Sequence, residues 1–258
     1  MQRLELTSFD LLPMKHMTIR SIALAAALAT TLGAAVAQPA PRGATAPAPS
    51  LRADYREPIV SPQVRHIADW AIHSGDHQRL PFIVVDKNNA SAAAFDATGR
   101  LLRTTPVLLG IGVGDTFPPG VAQLEMHETQ PWQRITPAGR FFADEGRNLE
   151  KQRVLWVDYD AGIAIHKIPT KRTAQRRQER MVSPDPADHR ITYGCINVPA
   201  VFYDTVVRTH FRQKGGIVYV LPDTLPLKSV FKSYDAGNPV AVPVQQSARD
   251  APQATRKF

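Results

Sequence analysis

From Pro81 to Leu109 the chain is written in short β-rich runs separated by turn residues, and that pattern limits the fold more than any other feature. Phe82-Ile83-Val84-Val85 is a compact apolar run, and Asp86-Lys87-Asn88-Asn89 is turn chemistry. Ser91–Phe95 reads as a second strand, Asp96-Ala97-Thr98-Gly99 as a second turn, and Leu101–Leu109 as a third strand. Two consecutive hairpins predict an antiparallel sheet. Val154–Val157, Ile163–Ile165 and Ile217–Leu221 supply further short strands, so the domain at about 80–223 is mainly β. Gly110, Gly112, Gly114 and Pro118-Pro119-Gly120 read as loop, because they lack the spacing and following helix of a nucleotide-binding turn.

The flanks differ in character. Residues 1–37 read as a signal peptide. Lys15 and Arg20 precede an apolar stretch from Ile22 to Val36, and Ala35-Val36-Ala37 gives a small-x-small cleavage site before Gln38-Pro39. The expectation is a periplasmic protein with no membrane anchor after cleavage. Residues 38–60 form a Pro/Ala-rich leader, expected to be extended. Residues 61–79 carry a helix: Ser61 is suited to N-cap, Pro62 to the first turn, and Val64, Ile67, Ala68, Ala71 and Ile72 form an apolar stripe. Residues 224–258 are sparse in apolar side chains and read as a disordered tail. The formal charge is +8, and about +7 after removal of residues 1–37. For an exported chain this points to anionic envelope polymers or peptides and away from nucleic acid.

Cys195 is the only cysteine, which excludes an internal disulfide. It lies in Thr192-Tyr193-Gly194-Cys195-Ile196-Asn197. Gly194 permits a tight backbone in which the N–H groups of Tyr193, Gly194 and Cys195 could converge on an oxyanion. A thiol nucleophile needs a base, and His166 ends the predicted strand Gly162–His166. Hydrogen bonding and that imidazole are expected to depress the thiol pKa. His189 is a rival base or substrate contact, with a surface position favoured. The stretch from Lys167 to Arg180 holds Lys167, Lys171, Arg172, Arg176, Arg177 and Arg180 against one acid, Glu179. It reads as a polar helical lid from Lys171 to Met181, with a solvated face or a basic rim attracting carboxylates. His127 between Glu125 and Glu128 lacks a second histidine at helical spacing, so no metal site is assigned.

These residues resemble the YkuD-type L,D-transpeptidase family. The family pattern, a His followed later by [Ser/Thr]-x-Gly-Cys-x-[Asn/Arg], falls on His166, Thr192, Gly194, Cys195 and Asn197. Thr136-Pro137-Ala138-Gly139-Arg140-Phe141 is similar to its T-P-x-G-x-F segment, and Val85-Asp86-Lys87 with Phe95–Arg100 to its opening hairpins. The resemblance implies a YkuD-like β-sandwich of mixed sheets with a few peripheral helices. It implies a cysteine acyltransferase acting on peptidoglycan stem tetrapeptides, with no metal or organic cofactor. Cys195 would be the nucleophile, His166 the general base and then acid, and a second stem or a protein amine the acceptor. Thr192, Asn197, Arg190 and His189 are assigned to substrate contact or support. Three departures stand out: Lys167 where many members have Gly, Tyr193 where many have His, and a longer gap between His166 and Thr192. Hydrolysis of the same thioester, as an L,D-carboxypeptidase or amidase, is one alternative. A silent wall-binding protein is another. A papain-like peptidase is disfavoured because it places Cys before His, although His210 does lie downstream.

Overall fold

The computed structural model describes residues 52–55, 60–169 and 173–236. The signal peptide, most of the leader, Lys171, Arg172 and residues 237–258 lie outside the described residues. Among the described residues ten strands appear: β1 Phe82–Asp86, β2 Ser91–Phe95, β3 Leu101–Pro106, β4 Leu109–Gly110, β5 Gly139–Arg147, β6 Arg153–Asp158, β7 Ile163–Lys167, β8 Arg190–Thr192, β9 Ile196–Val198 and β10 Gly216–Val220. Eight of them form one mixed sheet in the order β3-β2-β1-β10-β5-β6-β7-β9, while β4 pairs with β8. The pairs β1–β10 and β7–β9 are parallel; the other pairs of the large sheet are antiparallel.

The sheet turns a corner at β5. Its first residues, Gly139–Ala143, pair with β10, and its last, Asp144–Arg147, pair with β6. Both halves deliver side chains to one core, including Ile83, Val85 and Val218 from one side and Leu155, Ile165 and Ile196 from the other. A helical run packs into the same core: α3 Ala200–Phe202, a wider π turn Tyr203–Val207, and a closing turn, α4, Arg208–His210. On the opposite face of β1 and β10, the alternating residues Phe82, Val84, Ile217 and Tyr219 meet a long N-terminal helix. Burial on both faces explains why β1 and β10 read as continuous apolar runs.

That helix, α1, spans Pro62–Ser74. Ser61 caps it by accepting the Val64 N–H at 3.2 Å, and Gly75 ends it in the left-handed region at φ 74°. Its buried stripe of Val64, Ile67, Ala68 and Ala71 sits in the second core with Trp70, whose ring meets Tyr219 edge-on.

Four segments differ from expectation. The third strand stops at Pro106, which lacks an N–H for the ladder, and the chain crosses toward the cysteine loop as β4. Leu108 and Asn197 exchange backbone hydrogen bonds of 3.0 and 2.9 Å there. Part of the leader is packed: Ala53 is buried, and Asp54 bridges to Arg100. Residues 224–236, assigned to the tail, include helix α5, Leu227–Val230, and Phe231, which is 3% exposed. Tyr234 Oη lies 2.8 Å from His73 Nδ1, fastening this segment to α1. The expected lid is a short helix, α2 Arg177–Met181, preceded by a 3₁₀ turn at Thr173–Gln175. Among the described residues no helix is long and apolar enough to cross a membrane.

Candidate active site

The site is built where β7 and β9 lie side by side. Their parallel register places Ile165 opposite Ile196 and His166 opposite Asn197. Side chains two apart on a strand share a face, so Cys195, just before β9, and Asn197 project on the side that carries His166. The 29-residue separation of His166 and Cys195 is closed in this way.

The turn before Cys195 is held from several directions. Gly194 adopts φ +118°. A Cβ there would stand 2.6 Å from Ile163 Cδ1 and 2.8 Å from the Ile135 carbonyl oxygen, so both conformation and space demand glycine. Thr192 Oγ1 donates to the Cys195 carbonyl at 2.6 Å and accepts the Gly194 N–H at 3.2 Å. That N–H is therefore turned inward. Of the three backbone donors expected to converge on an oxyanion, this leaves those of Tyr193 and Cys195. Thr136, fully buried, donates its hydroxyl to the Gly194 carbonyl at 2.8 Å and accepts the Gly110 N–H at 2.9 Å. The threonine that opens the T-P-x-G-x-F segment thus clamps the cysteine turn to β4.

Cys195 Sγ, half-buried, lies 3.5 Å from the Gly162 carbonyl. Burial pushes its thiol pKa up, against the opposing pull of the Ala164 N–H and the Arg177 charge. The expectation of a depressed thiol is corrected on this point: the apolar strands around the sulfur outweigh its polar neighbours. His166 Nδ1 lies 2.8 Å from the Lys167 carbonyl, and Nε2 lies 3.1 Å from Asn197 Nδ2. Asn197 is fully buried, and its Oδ1 accepts a short hydrogen bond from Arg177 Nη1.

Arg177 is the residue that sequence reading placed wrongly. Set among charges in the expected lid, it is 5% exposed and directed into the site. Arg176 beside it is exposed and pairs with Glu179. Lys167 bonds Asp204 at 2.7 Å, and Arg180 bonds the Asp188 carbonyl at 2.8 Å. His189 is corrected from surface to interior: it is 3% exposed, with Nδ1 2.9 Å from the Val107 carbonyl and Nε2 3.0 Å from the Ser183 carbonyl. Its ring contacts tie the link between β3 and β4 to the segment after α2. Tyr193 lies under the Arg134 guanidinium, 4.0 Å from ring centre to Cζ.

Arg190 belongs to a buried ionic cluster. It grips Asp223 with both Nη atoms, at 2.6 and 3.1 Å. Lys87, fully buried, bonds Asp115 at 3.0 Å and lies 3.3 Å from Asp223. Asp115 also accepts hydrogen bonds from the backbone N–H groups of Asp223, Thr224 and Leu225 and from the Thr224 hydroxyl. Burial alone would raise its carboxyl pKa, but these donors and Lys87 hold it well below the usual range. Lys87 further donates to the Thr136 carbonyl at 2.9 Å, which connects the cluster to the clamp on the cysteine turn. Among the described residues no group of three or more His, Cys, Asp or Glu is placed to hold a metal ion.

With the parallel strand pair, the Gly194 turn and the His166–Asn197 contact in place, comparison with known proteins gives the class. The family model for YkuD, the L,D-transpeptidase catalytic domain, matches residues 81–220, more than half of the chain, and the chain belongs to that family. Solved structures similar to this chain include an L,D-transpeptidase from Xylanimonas cellulosilytica, at 14% identity and TM-score 0.34, covering 55% of this chain and 60% of that one. The catalytic domain of the E. faecium L,D-transpeptidase aligns at 19% identity and TM-score 0.33, over 56% of this chain and 99% of that one. The helical cell shape determining protein of Campylobacter jejuni aligns at 14% identity and TM-score 0.36, over 64% of this chain and 58% of that one. This chain thus spans less than two thirds of the Xylanimonas and Campylobacter chains. No curated protein matches it.

Proposed function

We propose that the protein is an exported L,D-transpeptidase that uses Cys195 as an acyl carrier on peptidoglycan stem tetrapeptides. The observation that carries this reading is the placement of Cys195, on an obligatory-glycine turn, beside the His166–Asn197 pair of β7 and β9. In the first half-reaction Cys195 Sγ attacks the carbonyl of the bond between the L-centre and the terminal D-residue. His166 Nε2 takes the thiol proton, giving up its hydrogen bond from Asn197 Nδ2 as it does so. The Tyr193 and Cys195 N–H groups stabilise the tetrahedral oxyanion, which collapses to a thioester. The departing amine takes the proton from His166 and leaves as the free D-residue. An amine of a second stem or of a protein then attacks the thioester, and the thiol is restored.

Membership of the YkuD family supports peptidoglycan as the substrate, and the net positive charge suits an anionic wall. Incubation with a tetrapeptide-containing muropeptide, read by mass, tests the proposal. The expected products are a cross-linked dimer and a free D-residue, with a Cys195 thioester trapped at short times. Release of the D-residue without dimer would mean that water is the acceptor. Retention without chemistry would overturn the enzyme reading, as would undiminished turnover by Cys195→Ala.

A further inference from the structure

We propose that Arg177 is a positioning residue. Acting through the side-chain amide of Asn197, it fixes His166 in the Nδ1–H tautomer and reserves Nε2 as the ring's proton acceptor. The inference deepens the function proposed above and rests on it for its catalytic consequence, though not for its structural content.

The hydrogen-bond chemistry runs in one direction. A guanidinium only donates, so the Asn197 atom facing Arg177 Nη1 must be the carbonyl oxygen. That choice orients the amide and turns Nδ2 toward His166 Nε2, at 3.1 Å. An amide nitrogen also only donates, so Nε2 must accept, and the ring proton sits on Nδ1. The other side of the ring agrees independently: Nδ1 lies 2.8 Å from the Lys167 carbonyl, which only accepts. An imidazole held in this state carries its one lone pair on Nε2, in the hydrogen bond from Asn197, and as a general base it gives up that bond to take a proton there.

Asn197 cannot enforce this arrangement alone. A free carboxamide turns over readily, and with Oδ1 at Nε2 the ring would meet an acceptor on each side. A neutral ring has one N–H and could satisfy only one of them, so the proton would be free to sit on Nε2. Arg177 removes that choice. Its Nε is itself braced by Gln175 Oε1 at 2.7 Å, and the side chain is almost wholly buried. The brace comes from the segment between β7 and β8, the stretch whose length departs from the family pattern. The same cation lowers the cost of a thiolate at Cys195. A residue that only packed the segment against the domain would influence neither the tautomer nor the sulfur.

Long-range proton–nitrogen NMR of the full chain labelled at histidine reads the tautomer directly and needs no substrate. In the wild type the His166 signals should show the proton on Nδ1. Asn197→Asp, which places an acceptor at Nε2, should move a proton onto that nitrogen. Arg177→Met should broaden or shift the Nε2 signal, and Arg177→Lys, which keeps a cationic donor, should restore it in part. With muropeptide, Arg177→Met should lose activity on the order of 10²-fold in kcat, within the range of general acid–base effects, with little change in KM. A wild-type ring carrying its proton on Nε2 would overturn the proposal. So would an unchanged His166 spectrum in both Asn197→Asp and a cooperatively melting Arg177→Met. A wild type inert toward muropeptide would instead count against the function proposed above, since the tautomer measurement stands on its own.

Discussion

Cys195 and the two histidines make opposite demands on their surroundings. Because burial raises the thiol pKa, the thiolate fraction of the free protein at neutral pH is below that of an exposed cysteine. Alkylation of Cys195 by a neutral reagent should therefore keep rising above the usual thiol range of about 8.5. A rate that levels off below pH 8 would contradict this assignment. His166→Ala should slow acylation by roughly 10²–10⁴-fold and leave the melting temperature nearly unchanged. His189→Ala should behave in the reverse way, because it removes a buried ring that contacts the Val107 and Ser183 carbonyls and costs about 1–3 kcal/mol. Acylation rates and thermal melts of the two variants, measured side by side, check the contrast. A crippled rate with an unchanged melt in His189→Ala would reverse the roles.

At the level of elements, the turn carrying the nucleophile is more demanding than the strands around it. Gly194→Ala forces a side chain into the left-handed region and against the Ile135 carbonyl, so a loss of about 1–3 kcal/mol is expected, with slower thiol alkylation. Thr136→Val should have a related effect from a distance, since it leaves the Gly194 carbonyl and the Gly110 N–H without their hydroxyl partner. Denaturant melts with alkylation rates test both; a Gly194→Ala protein as stable and reactive as the wild type would refute the strain argument. The strands β1, β2 and β10 were legible in the sequence because burial on both faces makes them unbroken apolar runs. The strand β5 was not, because Arg140, Asp144, Glu145 and Arg147 interrupt its alternation where it changes partners. The strands β8 and β9, at three residues each, are too short to show a period. Cys195 and His166 stood out in the sequence as the lone thiol and a strand-end imidazole, and Asn197 only through the resemblance to the family pattern. Arg177 and Lys87 were hidden for a shared reason: each sits in a polar stretch, and only tertiary contacts distinguish a buried cation from its solvated neighbours.

For the whole molecule, the Lys87–Asp115–Asp223–Arg190 cluster joins the opening hairpin, the loop after β4, the start of β8 and the segment after β10. Asp115 has a depressed carboxyl pKa in the folded state, so its contribution to stability is present above the unfolded carboxyl pKa of about 4 and is lost as pH falls below it. Asp115→Asn should cost about 3 kcal/mol or more at neutral pH by leaving Lys87 short of a counter-charge. It should also flatten the acid limb of the stability curve. Parallel acid limbs for variant and wild type, traced by melts from pH 6 to pH 2, would show that the carboxylate contributes little.

The parallel pairing of Phe82 with Ile217 has a consequence for how the protein is made. The strand at the middle of the large sheet is supplied by residues 216–220, more than 130 positions after the strand it joins. Neither core can close until that last strand has left the ribosome, because β1 and β5 both depend on it as a neighbour. Nascent chains halted before residue 216 should remain protease-sensitive, and those extended past residue 236 should become resistant. The closing strand thus acts as a timer: until residues 216–220 have been made, the strands before them have no finished core to join.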